Sequence, residues 1–205
     1  MKNLIVIPHT QSVHHVNKMH GGQADWNLSE RGVKQAKEIG EKLSIEIKEK
    51  NYVMYSSDLP RAKQTADIIS SYLGAEPILT PALREISLGD ANGQTKEYAR
   101  TIQLIKDEDA SIDDKLYNNA ESIRDVYNRV AEFSNELMTN QAENIILIAH
   151  GISASVFAVA WLGLDVELLN KISISLMGSG SVSFMRQDAN GKRVLLRTCD
   201  RSYCT

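Results

Sequence analysis

The chain has 205 residues, 42% hydrophobic and 24% charged, with a formal net charge of −3. That is the size of one α/β domain with a proper core and the composition of a globular protein rather than a disordered one. The acidic balance argues against general nucleic-acid binding; no apolar run reaches a membrane span and no signal-peptide pattern opens the chain, so a cytoplasmic protein without nucleic-acid or membrane partners is expected.

Leu4–Ile7 is a short apolar run that reads as a fully buried strand, stopped by Pro8 and followed by His9. Reactive groups in open α/β sheets sit just past the carboxyl ends of parallel strands. Ser12 to Asn27 is a polar loop with His14, His15, Asn17, Lys18, His20 and the pair Gly21-Gly22. Adjacent His14 and His15 cannot easily face one ion, and no cysteine or carboxylate pattern supports a site, so neither a metal nor a cofactor is expected. An anion-lining loop fits better, because paired glycines let backbone N–H groups approach a phosphate.

Ser29 is placed to cap a helix through Val33, Ala36, Ile39 and Leu43. Tyr52 to Tyr55 reads as a second strand. It leads into a helix from Arg61 to about Leu73, with Ser57 or Asp58 as cap and Pro60 in the first turn. An arginine at a helix N-terminus faces the positive dipole end, which is costly unless an anion is present. Pro77 to Leu79 reads as a third strand, and Glu85 follows on a loop. Thr95 to Glu108 and Glu121 to Thr139 read as amphipathic helices. They are joined by a polar segment carrying Asp107, Glu108, Asp109, Asp113 and Asp114, a solvated loop or a lid.

Asn144 to Ala149 repeats the opening pattern and delivers His150; a helix over Ile152 to Leu162 follows. Ser181 to Met185 and Arg193 to Arg197 read as strands around the turn Asp188–Gly191, an antiparallel edge to the sheet. Cys199 and Cys204, both in the tail, read as free thiols. The expected fold is α/β: a three-layer sandwich with a mostly parallel central sheet, helices on both faces and an antiparallel edge near the C-terminus. It forms one domain over residues 1–205, with an insert at about 91–119 near the pocket.

Either histidine alone reads as a strand cap. Together, two strand-end histidines, an arginine and a carboxylate at one sheet edge suit phosphoryl transfer. One imidazole attacks phosphorus, the arginine fork holds two oxygens, the second histidine donates to another, and the carboxyl group protonates the leaving alkoxide.

At these residues the chain resembles the histidine phosphatase, or phosphoglycerate-mutase-like, superfamily. The resemblance rests on Pro8-His9-Thr10-Gln11-Ser12, on Leu28-Ser29-Glu30-Arg31-Gly32 with Gln35-Ala36, on Ser56 to Ala66 around Arg61, on Leu83-Arg84-Glu85-Ile86 with Gly89, and on Ala149-His150-Gly151. It spans nearly the whole chain. It implies His9 as nucleophile, Glu85 as proton donor, and Arg61 and His150 completing a phosphate pocket. Gly21 and Gly22 match the family's backbone-donor loop.

Two departures stand out. Pro8 fills the slot of a phosphate-gripping arginine, with Thr10 in place of the glycine after the nucleophile. His15 stands where the family often has an asparagine, and Asn17 lies two residues on. Losing one preorganised donor costs roughly 10²–10³ in rate. Another basic residue (His14, His15, Lys18 or Arg84) fills the gap, or turnover is poor, or Pro8 is a single-base change from arginine. The expected activity is hydrolysis of a small phosphorylated metabolite through a phosphohistidine. The alternatives are a phosphoglycerate mutase, whose branch usually carries longer insertions, and a catalytically impaired phosphate-ligand binding protein. The expected partner is the phosphorylated substrate or inorganic phosphate; a homodimer stays open.

Overall fold

A computed structural model of the chain describes residues 1–47 and 51–204. Its centre is β1 (Lys2–Pro8). The chain continues through α1 (Val13–Val16), α2 (Glu30–Glu46), β2 (Val53–Ser57), α3 (Pro60–Leu73), β3 (Pro77–Thr80) and α4 (Lys96–Ile102). It ends with α5 (Ile123–Thr139), β4 (Asn144–Ala149), α6 (Gly151–Leu162), β5 (Val182–Gln187) and β6 (Arg193–Asp200). The six strands lie in the order β3-β2-β4-β1-β5-β6. The first four run parallel, β5 is antiparallel to β1, and β6 is antiparallel to β5.

Burial on both faces explains why β1 and β4 read as continuous apolar runs. Ile5, Ile7, Ile146 and Ile148 pack under α2 and α3 against Ile39, Leu43, Ala66 and Ile69. Leu4, Val6, Ile145 and Leu147 point the other way, against Val126, Val130, Phe157 and Trp161 of α5 and α6. The period-2 alternation of the strands thus builds two cores and three layers. Each fully buried leucine or isoleucine contributes roughly 1.5–3 kcal/mol of transfer free energy.

Ser29 caps α2, its hydroxyl accepting from Gly32 N at 3.1 Å. Gly74 closes α3 at φ +66. Pro8 sits at the end of the central strand, where a proline is ordinarily excluded. His9 N donates to Ala149 O at 2.9 Å, so by alternation position 8 faces β5. The β1–β5 pairing ends at Val6, and no ladder bond is lost.

Three elements differ from the sequence reading. A helical turn, α1, stands inside the expected loop; the Ser12 backbone N–H donates to His15 Nδ1 at 3.2 Å and fixes its start. The first long amphipathic helix stops at Ile102 rather than Glu108. Continuing it would have set Asp107, Glu108 and Asp109 at the negative end of the helix dipole; Gln103 instead turns out and binds Asp107 at 2.7 Å. Asp58 does not cap α3, because Arg84 engages its carboxylate at 2.7 and 2.5 Å; Ser57 Oγ accepts from Leu59 N at 3.3 Å just ahead of the helix. Among the described residues no helix is long and apolar enough to cross a membrane. Cys199 and Cys204 are free.

Candidate active site

The carboxyl ends of β1, β2 and β4 open onto one cavity of about 330 Å³, lined among others by Pro8, His9, His14, His15, Gly21, Gly22, Arg61 and Glu85. His9 leaves β1 nearly buried. Its Nδ1 lies 2.7 Å from Thr10 O, an oxygen that can only accept, so Nδ1 carries the proton and Nε2 the lone pair. Arg61 Nε donates to that Nε2 at 3.1 Å. Burial, and next the Arg61 charge, hold the His9 pKa well below the ordinary imidazole value.

Arg61 is buried at the start of α3. Its other amino groups donate to Ala24 O at 3.0 Å and Gly22 O at 2.6 Å. Gly22 reaches that position at φ +44, and a Cβ there would stand 2.0 Å from Asn92 Oδ1. Desolvation lowers the guanidinium pKa to about 10, opposed by the charges of Glu85 and Asp25. Arg61 therefore keeps its charge in neutral solution.

His150 is fully buried, its ring 5.1 Å from that of His9. Its Nε2 lies 2.8 Å from Ser57 Oγ, and its Nδ1 has no partner among the described residues. Burial first, then Arg61, push its pKa well below the ordinary value. Glu85 is pinned at the N-terminus of α6: Oε1 accepts from Ile86 N at 3.0 Å and Ser153 N at 3.1 Å, and Oε2 from Ile152 N at 3.3 Å. Behind it, Gln23 and Arg129 donate to Glu85 O, and both contact Glu121.

The four residues expected to do the chemistry are thus brought together. So are Pro8, His15, Gly21 and Gly22. Asn17 is not: it ends α1, exposed and away from the cavity wall. Of the four candidates to replace the missing arginine, Lys18 is exposed and Arg84 is tied to Asp58; neither lines the cavity. His14 and His15 do. The His15 ring stacks on His9 at 5.5 Å between centroids and 14° between planes.

The expectation that His14 and His15 cannot face one point is overturned, because α1 turns both rings to the same side. Nitrogens of His9, His14 and His15 lie within 4.8 Å of one another. Their protons nevertheless favour donors over metal ligands. Ser12 N–H occupies His15 Nδ1, and Ser12 Oγ lies 2.6 Å from His14 Nδ1. With that hydroxyl donating, both rings carry their proton on Nε2. A dication there would also meet Arg61 across His9 Nε2. Burial, then His15 and Arg61, lower His14 to about 3, and His15 shifts the same way, so both are neutral donors at pH 7.

Sequence reasoning missed Ser57, Ser153 and the Gln23–Glu121–Arg129 brace. Ser153 had a local signal, the three-residue spacing after His150 that lets its Oγ accept from His150 N at 3.2 Å. The brace had none, since Gln23 lies 98 residues from Glu121 along the chain and they meet only in the fold.

A sequence profile described as the histidine phosphatase superfamily (branch 1) matches residues 4–200. Phosphoserine phosphatase 1 of Hydrogenobacter thermophilus is 30% identical, with 82% of this chain and 79% of that protein covered. The glucosyl-3-phosphoglycerate phosphatase of Mycolicibacterium vanbaalenii is 30% identical over 82% of this chain and 77% of its own. A 2,3-bisphosphoglycerate-dependent phosphoglycerate mutase of Bartonella henselae is 31% identical over 81% and 84%. Among solved structures, Bacillus stearothermophilus YhfR shares the fold at TM-score 0.83, covering 99% of both chains at 23% identity.

Proposed function

The chain belongs to the histidine phosphatase superfamily, and we propose that it works there as a phosphomonoesterase, hydrolysing a small phosphorylated metabolite through a phosphohistidine on His9. The observation that carries this reading is the His9 tautomer: Nδ1 holds the proton, and Nε2 holds a lone pair that accepts from Arg61 Nε and is kept unprotonated by burial and by the Arg61 charge.

Nε2, leaving its hydrogen bond from Arg61 Nε, attacks phosphorus in line, the P–O ester bond breaks, and the leaving alkoxide takes a proton from Glu85. A water then gives its proton to Glu85 and its oxygen to phosphorus. The N–P bond breaks, inorganic phosphate leaves, and His9 recovers its lone pair. Arg61 has five N–H groups; three meet His9, Ala24 and Gly22, and two remain for phosphoryl oxygens. With Ser57 Oγ donating to Nε2, His150 keeps its proton on the unpartnered Nδ1 and offers it to a third oxygen. His15 and His14 give Nε2–H donors on the side where Pro8 gives none. Residues 1–205 act as one domain, with the insert at 91–119 beside the organic half of the substrate.

Phosphate release from p-nitrophenyl phosphate, abolished in His9→Ala, tests the reading. Quenching a reaction with labelled substrate should leave acid-labile, alkali-stable phosphate on the chain. Equal rates for the native protein and His9→Ala would sink the enzymatic claim and leave the phosphate-binding protein that Pro8 alone favours.

A further inference from the structure

Beside the phosphate cavity lies a larger one of about 400 Å³. The two share Ile152 and Met177 as common walls. The larger one is roofed by the insert (Ala110 to Ala120), floored by Ile152 and Val156 of α6, and closed at the far side by the chain from Leu169 to Met177. No lysine, arginine or histidine lines it among the described residues. Its three carboxylates, Asp107, Asp114 and Glu121, already accept hydrogen bonds from Gln103, Ser111 and Arg129. Ile172 and Met177 on its wall are 45% and 48% exposed.

We propose that this chamber receives the alcohol half of the substrate, and that the enzyme's substrates are monoesters of apolar alcohols bearing no second anionic group. The inference rests on the reading of Glu85 as proton donor. In-line transfer from His9 Nε2 sends the leaving oxygen to the opposite side, towards the group that protonates it. With Glu85 as that group, the leaving oxygen is brought to its carboxylate, which accepts from Ile152 N, and Ile152 and Ile86 are chamber walls. The leaving group therefore emerges into the chamber. A chain of several carbons or an aromatic ring fits a cavity of this size. A phosphorylated acid or a bisphosphate brings a carboxylate or second phosphate against Asp107, Asp114 and Glu121 with no cation to meet it. Two arginines, Arg31 and Arg201, line a separate hollow that opens from the His15 wall. That hollow does not touch Glu85 or Ile152.

The test is a series of n-alkyl phosphates from ethyl to hexyl, with 1-naphthyl phosphate, O-phosphoserine and 3-phosphoglycerate, assayed for kcat/KM on the full chain. The matching alkylphosphonates, which cannot be hydrolysed, are measured by calorimetry. Each methylene that enters the chamber should raise kcat/KM, and lower the phosphonate Kd, about 4-fold. Naphthyl phosphate should exceed both acids. In Ile172→Glu the hexyl-to-ethyl ratio should collapse towards one; a ratio taken on one preparation is independent of how much of it is folded. A flat series with a preference for phosphoserine or phosphoglycerate overturns the inference while leaving His9-dependent hydrolysis intact. Graded phosphonate binding without turnover sinks the phosphatase reading and upholds the chamber.

Discussion

Pro8→Arg is the most informative single change. The proline ring lines the cavity beside His9 and offers neither charge nor donor, while His14 and His15 supply neutral donors nearby. One preorganised donor aimed at the transition-state oxyanion is worth roughly 10²–10³ in rate. His14 and His15 already supply part of that, so adding the guanidinium should raise kcat/KM by about 10- to 10²-fold, or about 1.4–2.7 kcal/mol. The backbone tolerates the change, since position 8 faces β5 beyond the end of their pairing. Stability should fall, by about 0.4–1 kcal/mol for the freed unfolded chain and further for a second cation near the buried Arg61. Each kcal/mol lowers Tm by about 2–4 °C in a chain of this size, and phosphate should restore it by mass action. The assay pairs initial rates on p-nitrophenyl phosphate with melting curves with and without phosphate. A variant that phosphate stabilises more strongly than it does the native protein, yet that turns over no faster, would refute the reasoning: the arginine would be in the pocket and the missing charge would not be the defect.

Glu85→Gln should cut kcat/KM for alkyl phosphates about 10²–10⁴-fold but spare kcat/KM for p-nitrophenyl phosphate, whose leaving group needs no proton, while kcat falls on both because the water step still needs the base; equal losses of kcat/KM on both would remove Glu85 as proton donor. His15→Ala should slow the native protein clearly and the Pro8→Arg protein hardly at all; additive losses in that double-mutant cycle would mean that the two side chains do not share one role. Stability should fall as the solution is acidified below about pH 6.5. His9, His14 and His150 have pKa values below the unfolded one, so between the folded and unfolded values only the unfolded chain takes up their protons, each at up to about 1.4 kcal/mol per pH unit. Flat unfolding free energy between pH 6.5 and 5, measured in urea at about equal ionic strength, would contradict the buried neutral histidines.

Whatever was written in short-range chemistry could be read from the chain. The double-sided burial of β1 and β4 shows as unbroken apolar runs, and the Ser29 cap and Gly74 stop bracket α2 and α3 by residue type. His9, Arg61, Glu85 and His150 were legible because each follows a strand whose place in a parallel sheet fixes where its end lies. α1 was not: four residues hold no hydrophobic period, and the turn depends on a ring nitrogen accepting from Ser12 N. That same turn is what makes His14 and His15 part of the site, so the metal argument and the arginine-replacement question were both undecidable before it was seen. The premature end of α4 is the opposite case, a period that continues while the charges at its end forbid the helix.

Arg61, the one guanidinium lining the phosphate cavity among the described residues, and the apolar chamber have a joint consequence for product release. A pocket with one guanidinium grips a phosphoryl group less tightly than a pocket with two, and it does so equally for substrate and for inorganic phosphate. The chamber acts on the ester alone, since phosphate has no organic half to place there. Binding energy from the non-reacting part of the substrate then takes over what phosphate contacts would otherwise supply. Product inhibition should accordingly be weak: the phosphate Ki of the native protein should lie far above the KM for hexyl phosphate and close to that for ethyl phosphate. Pro8→Arg should tighten the phosphate Ki and the KM of every ester by similar factors, so that product inhibition sets in at lower phosphate while the ratio between the phosphate Ki and the hexyl phosphate KM stays the same. Steady-state inhibition by phosphate at several concentrations of each ester measures these constants in both proteins. A native phosphate Ki as low as the hexyl phosphate KM would show that the phosphoryl pocket, not the chamber, holds the substrate.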